Sequence, residues 1–358
     1  MDDFKCNVLI IGKTGAGKSS LLNYICEHNI AETGSGKPVT GEGLYEYIGI
    51  IKSQKVRIYD SWGIEAGKDE KWKSLLDNEL KKHGIQKNPE DWFHSIIYCI
   101  QAGGGRVEPI DTAIINQFLT DGYHITIVLT KADQIDESTI ADMRNSIMKE
   151  IKDVSISKNN SLLNIIPVCS EEKKTRKGQI HPYGKEELQK AILDGWPKTV
   201  VERVPKHVIN YCCEYIDKWR NNESKFDFSR QKSSIVQQNL IESANKELST
   251  IRNVLIPEKI ENAVNSCRKI QLTLVKITYD SADLLISNKL ILDKHFMWQN
   301  LIPFWTLINQ IKLSQNRNKY ITAFINDISE TMKKEIYSLE PEISKLVEDI
   351  LFNKKNKD

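Results

Sequence analysis

Cys6-Asn-Val-Leu-Ile-Ile-Gly12-Lys13-Thr14-Gly15-Ala16-Gly17-Lys18-Ser19-Ser20 is the stretch whose reading decides the fold. Val8–Ile11 is an apolar, strand-like run, and Leu21–Ile25 reads as the start of a helix. The eight residues from Gly12 to Ser19 fit G-x-x-x-x-G-K-[ST] in the strand-then-helix context that a phosphate-binding loop requires. Its three glycines let backbone N–H groups converge on a polyphosphate at a helix N-terminus, where the dipole favours an anion. Gly12, Lys13, Thr14, Gly15, Ala16, Gly17, Lys18, Ser19 and Ser20 are therefore assigned to nucleotide binding. Lys18 is expected to reach the β- and γ-phosphates, and the Ser19 hydroxyl to ligate Mg²⁺, the one cofactor expected. The competing reading is an ordinary Gly-rich turn that opens a helix.

Four further segments follow in the order a guanine-nucleotide switch needs. Pro38-Val-Thr40 comes after the Gly-rich stretch from Ile30 to Lys37. Thr40 is expected to close over the γ-phosphate and complete the metal shell with Ser19; Thr33 is its rival, and a plain loop threonine the alternative. Asp60-Ser-Trp-Gly63 follows the strand-like Val56–Tyr59, 42 residues beyond Lys18. There Asp60 would hold Mg²⁺ through water and the Gly63 N–H would meet the γ-phosphate. Thr130-Lys-Ala-Asp133 closes the apolar run Ile125–Leu129. Asp133 in this place accepts two hydrogen bonds from the ring N–H and exocyclic amine of guanine, donors that adenine lacks in that arrangement. The Lys131 stem would cover one face of the base, and Thr130 stands where this motif usually has asparagine. A charged strand-to-helix turn is the bland alternative. Val168-Cys169-Ser170 then follows Leu162–Ile166, and a backbone N–H there, from Ser170, would meet the guanine carbonyl.

Together these five motifs make residues 5–198 resemble the G domain of the TRAFAC class of P-loop GTPases. The loop itself is similar to those of the immunity-associated GTPases, of the septin and chloroplast-import branch, and of small bacterial Era-like GTPases. Gly105-Arg-Val-Glu-Pro-Ile-Asp111 is similar in length and pattern to the Gly-Arg-Phe-Thr-x-x-Asp segment of the immunity-associated family. The Gly36–Thr40 stretch and Asp133 resemble the Era-like branch instead. The resemblance implies GTP and GDP as ligands and hydrolysis of GTP to GDP and phosphate.

Two departures bear on catalysis. Ile64 follows Gly63 where Ras-like switches carry a water-orienting glutamine, and Gly15 stands where the potassium-activated branch has asparagine. The missing charge stabilisation is then expected from elsewhere, and an arginine supplies roughly 10³–10⁵ in rate. Arg106 follows Gly103-Gly-Gly105 at a strand's end. Members of the immunity-associated family pair through their nucleotide faces, which implies a homodimer in which Arg106 reaches the partner's phosphates. The alternative is a surface arginine that caps the next helix or pairs with Glu108. Trp62 is read as packing under the loop, with a dimer or effector surface as its alternative.

Composition agrees. At 358 residues, with 40% hydrophobic and 27% charged residues, the chain suits two domains, placed at 1–198 and 199–358. Its net charge of +2 argues for neither a polyanion partner nor an acidic tail. Seven cysteines, an odd count without C-x-x-C, read as reduced and intracellular. Met1–Cys6 has no signal-peptide pattern, so a cytoplasmic location is expected.

Strands are expected near 6–11, 44–51, 55–60, 94–100, 124–129 and 163–168, and helices near 18–28, 69–83, 109–120, 137–152 and 184–195. Lys52-Ser-Gln-Lys joins the second and third strands, too short for a parallel crossover, so that pair is a hairpin. The expected fold class is α/β: a mostly parallel six-stranded sheet with helices on both faces, its motifs at the carboxyl ends of the strands, followed by an all-α C-terminal domain. After residue 198 apolar residues recur at helical spacing: Leu240, Ala244, Leu248, Ile251, Leu255; Ile260, Val264, Cys267, Ile270, Leu274; Ile321, Phe324, Ile328, Met332, Ile336, Leu339. Pro257 and Pro341 mark breaks or helix starts. Four to six helices are expected, serving a protein effector or oligomerisation. Residues 201–358 hold 24 basic and 20 acidic residues, too balanced to argue for nucleic acid. His295–Ile311 lacks any charged side chain for 17 residues, yet five polar or Pro positions stop it short of a span. A core helix is the first reading, a partner seam the second and interfacial membrane contact the third.

Overall fold

The computed structural model describes residues 6–26, 44–63, 69–103, 107–151, 163–175, 178–228, 231–271 and 317–352. It divides into two compact units, the first of residues 1–203 with 266–276 and the second of residues 204–265 with 277–358. The first is built on a six-stranded sheet in the order β2-β3-β1-β4-β5-β6. These strands are β1 (Cys6–Gly12), β2 (Leu44–Ile51), β3 (Gln54–Ser61), β4 (Ser95–Gln101), β5 (Ile125–Thr130) and β6 (Leu163–Val168). β2 pairs antiparallel with β3, and every other pairing is parallel. The central strands β1 and β5 are buried along their whole length, which is why they read as unbroken apolar runs, whereas the edge strand β2 is half exposed.

The connecting helices are α1 (Lys18–Ile25), α2 (Asp69–Lys82), α3 (Pro109–Thr120) and α4 (Glu137–Glu150). Trp72 and Leu76 of α2, Ile115 and Phe118 of α3 and Ile147 of α4 join Leu9, Tyr98, Ile127 and Leu129 of the sheet in one core. Trp62 belongs to that core: it is 8% exposed, its ring lies 6.1 Å from that of Trp72, and its carbonyl accepts the Trp72 indole N–H. Beyond β6 a short hairpin, β7 (Lys173–Thr175) with β8 (Gly178–Ile180), stands apart from the main sheet.

The helix expected near 184–195 does not end there. α5 runs Lys185–Glu223, past Pro197 and Pro205, and the boundary between the two units falls inside it. An interior proline costs about 3 kcal/mol of helix stability. Here Ile192, Trp196, Val200, Val204, Val208, Cys212, Ile216 and Trp219 form a buried stripe along the helix, and that burial outweighs two local breakers.

The described part of the second unit is helical: α6 (Ser233–Thr250), α7 (Ile256–Gln271), α8 (Arg317–Ser338) and α9 (Glu340–Phe352). A π-helical turn, Ile251–Leu255, separates α6 from α7 directly before Pro257, which has no N–H to donate. The extra residue in that turn moves the buried position from the expected Leu255 to Ile256, so the apolar stripe reads Leu248, Ile251, Ile256, Ile260. Tyr215 donates to Glu247 at 2.6 Å and Lys333 pairs with Asp217 at 2.8 Å. Among the described residues no helix is long and apolar enough to cross a membrane, and Cys6, Cys26, Cys99, Cys169, Cys212 and Cys213 are buried and form no disulfide.

Candidate nucleotide site

Strands β1, β3, β4, β5 and β6 end at one edge of the sheet, and the loops there carry the motif residues. At the phosphate end, Gly17 is the N-cap of α1 with φ 82°, a left-handed conformation that a side chain resists. No side chain caps α1 and its first turn carries no acid, so its leading N–H groups face outward for an anion. Gly63 is there for space. A Cβ at that position would lie 2.3 Å from Thr14 Oγ1 and 2.4 Å from Thr14 Cα. The Asp60–Gly63 segment and the phosphate loop are therefore in backbone contact.

Lys18 is 7% exposed, and its ammonium donates to the carbonyls of Gly12 at 3.1 Å and Lys13 at 3.2 Å. Burial pushes its pKa down, against the pull of Asp60. Asp60 is fully buried, and its Oδ2 accepts a long 3.4 Å bond from the Ser19 hydroxyl. Its Oδ1 has no hydrogen-bond partner among the described residues. Burial lifts the Asp60 pKa to about 6, with Lys18 and Ser19 opposing the rise. Two opposite charges, both desolvated and neither well bonded, form an arrangement that a polyphosphate and a divalent cation would complete. The donor set also suits Mg²⁺, a hard cation served by a carboxylate and a hydroxyl while keeping several waters. Ser19 and Asp60 are the described residues that would hold it.

A second set of contacts at this end went unread in the sequence. Lys13 Nζ pairs with Asp111 Oδ2 at 2.9 Å and Glu108 Oε1 at 3.0 Å. Asp111 is 2% exposed and also accepts from the Tyr98 hydroxyl at 2.7 Å and the Glu108 N–H at 2.8 Å. Glu108 and Asp111 form the capping box of α3, so the helix start and the phosphate loop are tied through one ion-paired cluster. The Glu-Pro-x-Asp start of α3 was the available signal; its partner, 98 residues away, was not. Glu108, offered above as a partner for Arg106, is engaged by Lys13.

At the base end, the Thr130 hydroxyl donates to the Ala16 carbonyl at 2.7 Å, so the residue in the asparagine position ties β5 to the phosphate loop. Lys131 has φ 53° and its ammonium reaches the Gly15 carbonyl at 3.2 Å, which lays its stem along the loop. The side chain of Asp133 is 4% exposed. Its Oδ2 pairs with Lys173 Nζ at 2.9 Å, and its Oδ1 has no partner among the described residues. Desolvation pushes the Asp133 carboxyl up, but the hydrogen bonds from Lys173 and Cys169 outweigh it and hold the pKa below the ordinary range. The Cys169 N–H donates to the Tyr183 carbonyl at 3.2 Å, which commits it within the protein. Thr40, Thr33, Ile64, Arg106 and the 295–311 segment lie outside the described residues.

Residues 7–131 match the model of the family described as 50S ribosome-binding GTPase, and this part of the chain is a P-loop GTPase domain. A stretch of 89 residues is 33% identical to translocase of chloroplast 101 of Physcomitrium patens, covering 25% of this chain but 10% of that protein. The match thus spans a small fraction of that relative. Over 154 residues the chain is 26% identical to the probable GTP-binding protein EngB of Aquifex aeolicus, covering 42% of this chain and 78% of the relative. Among solved structures, Toc33 of Arabidopsis thaliana in complex with GDP and Mg²⁺ aligns at 19% identity with a TM-score of 0.39, over 54% of this chain and 84% of that one.

Proposed function

We propose that the protein binds GTP with Mg²⁺, hydrolyses it to GDP and phosphate, and uses the cycle as a switch. The observation that carries this reading is the pair of buried, incompletely bonded carboxylates at the two ends of one sheet edge. Asp60 lies beside Ser19 and Lys18 at the phosphate end, and Asp133 beside Lys173 and Cys169 at the base end. Lys18 would hold the β- and γ-phosphates, and the α1 N-terminus their oxygens. Mg²⁺ bound by Ser19 and Asp60 would neutralise charge on the leaving phosphates. Thr40 and the Gly63 N–H are assigned to the γ-phosphate, so that its loss releases both segments. Residues 199–358 are assigned the relay of that change to an effector. Arg106 offered across a pair of nucleotide faces is the proposed source of the remaining charge. The family match to a GTPase domain supports the reading independently.

The test is a change of base. Asp133→Asn should weaken GTP and admit xanthosine triphosphate, whose ring carbonyl replaces the amine donor. Equal affinity of the unaltered protein for ATP and GTP would end the guanine assignment.

A further inference from the structure

Lys173 is the one described cation bonded directly to the carboxylate assigned to guanine. It sits at the start of β7, three residues after Ser170, so one short segment delivers both groups to the base end. Its ammonium takes only Oδ2 of Asp133 and leaves Oδ1 free. Each carboxylate oxygen has two lone-pair sites, so the ion pair does not block guanine: Oδ1 can take one base donor and Oδ2 can take the other beside Nζ. On guanine the ring N–H that seeks this carboxylate is flanked by the 6-carbonyl, the same atom assigned to the Ser170 N–H. An ammonium with three donors beside Asp133, arriving on the chain that carries Ser170, therefore reaches the carboxylate and that carbonyl together.

Building on the guanine reading of Asp133, we infer that Lys173 is a specificity residue for the nucleotide, bridging Asp133 and the 6-carbonyl of guanine. It repels adenine, which presents an amine donor at the same place. Donor against donor sets the adenine amine against an ammonium with no acceptor for it there, and an unpaired polar group is how a site rejects a near-isostere most strongly. The pair also keeps Asp133 ionised, and the lysine, 33% exposed, stays free enough to adjust to the base. Discrimination here rests on two opposed charges where the aspartate alone would read only the donors.

The experiment measures affinities of the full chain for GTP, ATP, inosine triphosphate and 6-thio-GTP, for the unaltered protein and for Lys173→Met and Lys173→Arg. Inosine keeps the 6-carbonyl and loses the amine; 6-thio-GTP keeps both donors and weakens the acceptor. Lys173→Met should cost GTP and inosine triphosphate about 10-fold alike, 6-thio-GTP much less, and should narrow the GTP-to-ATP ratio by about 10-fold or more. Lys173→Arg should recover most of the loss. An unchanged GTP-to-ATP ratio in Lys173→Met, or an equal loss for 6-thio-GTP and GTP, overturns the inference and leaves Lys173 a structural partner of Asp133. If the unaltered protein itself does not prefer GTP to ATP, the failure lies with the guanine reading.

Discussion

The two ends of the candidate site are built differently. The phosphate end is backbone: glycine-shaped turns, an uncapped helix start, and a lysine and an aspartate taken out of water with few bonds between them. The base end is made of side chains at strand ends and in the turn beside them, where Asp133 is already paired with Lys173 and Thr130 already bonded to Ala16. The first stores electrostatic cost that a charged ligand relieves; the second is satisfied on Asp133 Oδ2 but not on Oδ1, and selects among ligands. Affinity should therefore reside at the phosphate end and discrimination at the base end.

The hardest test of that division is Gly63→Ala. The new methyl group has no room against the Thr14 backbone, so the phosphate loop must shift. Overpacking of this kind costs about 1–3 kcal/mol of stability. We expect binding of any nucleoside triphosphate to be lost in a protein that circular dichroism still finds folded. Retention of GTP affinity would mean that this contact does not shape the site.

Next comes pH. The folded pKa of Asp60, about 6, lies above the ordinary aspartate value of 3.8, so the folded state holds the proton more tightly. This group costs stability as pH rises from about 4 to about 6, and the full cost stands above that window. Mg²⁺ requires the ionised form, so its affinity should fall by up to tenfold per pH unit below about 6. The metal-dependent rise in Tm should accordingly vanish near pH 4–5 and be absent at all pH values in Asp60→Asn. A rise in Tm that is independent of pH would separate Asp60 from the metal.

The smallest effect is expected from Thr130→Ala, which removes one buried hydrogen bond to Ala16, worth about 1 kcal/mol. Because that bond ends on the phosphate loop, GTP and ATP affinities should fall together, by about fivefold. A loss confined to GTP would place Thr130 with the base and blur the comparison.

The phosphate end was legible in the sequence because its chemistry is local: spacing alone put Gly12, Gly17, Lys18 and Ser19 on one turn, and Asp60 at a strand's end. The strands were read to within a residue, the central ones because burial on both faces leaves plain apolar runs. What escaped depends on partners distant in the chain. Lys13 finds Asp111, and Asp133 finds Lys173, only once parallel strands bring their loops to one edge. The end of the fifth helix was misplaced at 195, whereas the buried stripe that carries it to Glu223 through Pro197 and Pro205 is a tertiary fact. At Ile251–Leu255 the 3.6-residue period slipped by one residue for a reason no periodic count includes.

The central claim is that this site turns over GTP, and phosphate release measures it most directly. Release should be followed for GTP and for ATP, with and without Mg²⁺, across a range of protein concentrations, in the unaltered protein and in Lys18→Ala. The account predicts Mg²⁺-dependent release from GTP and little from ATP, a specific activity that rises with concentration as nucleotide faces pair, and loss of release in the folded Lys18→Ala protein. Undiminished release from Lys18→Ala, or no release from GTP at any concentration, would contradict it.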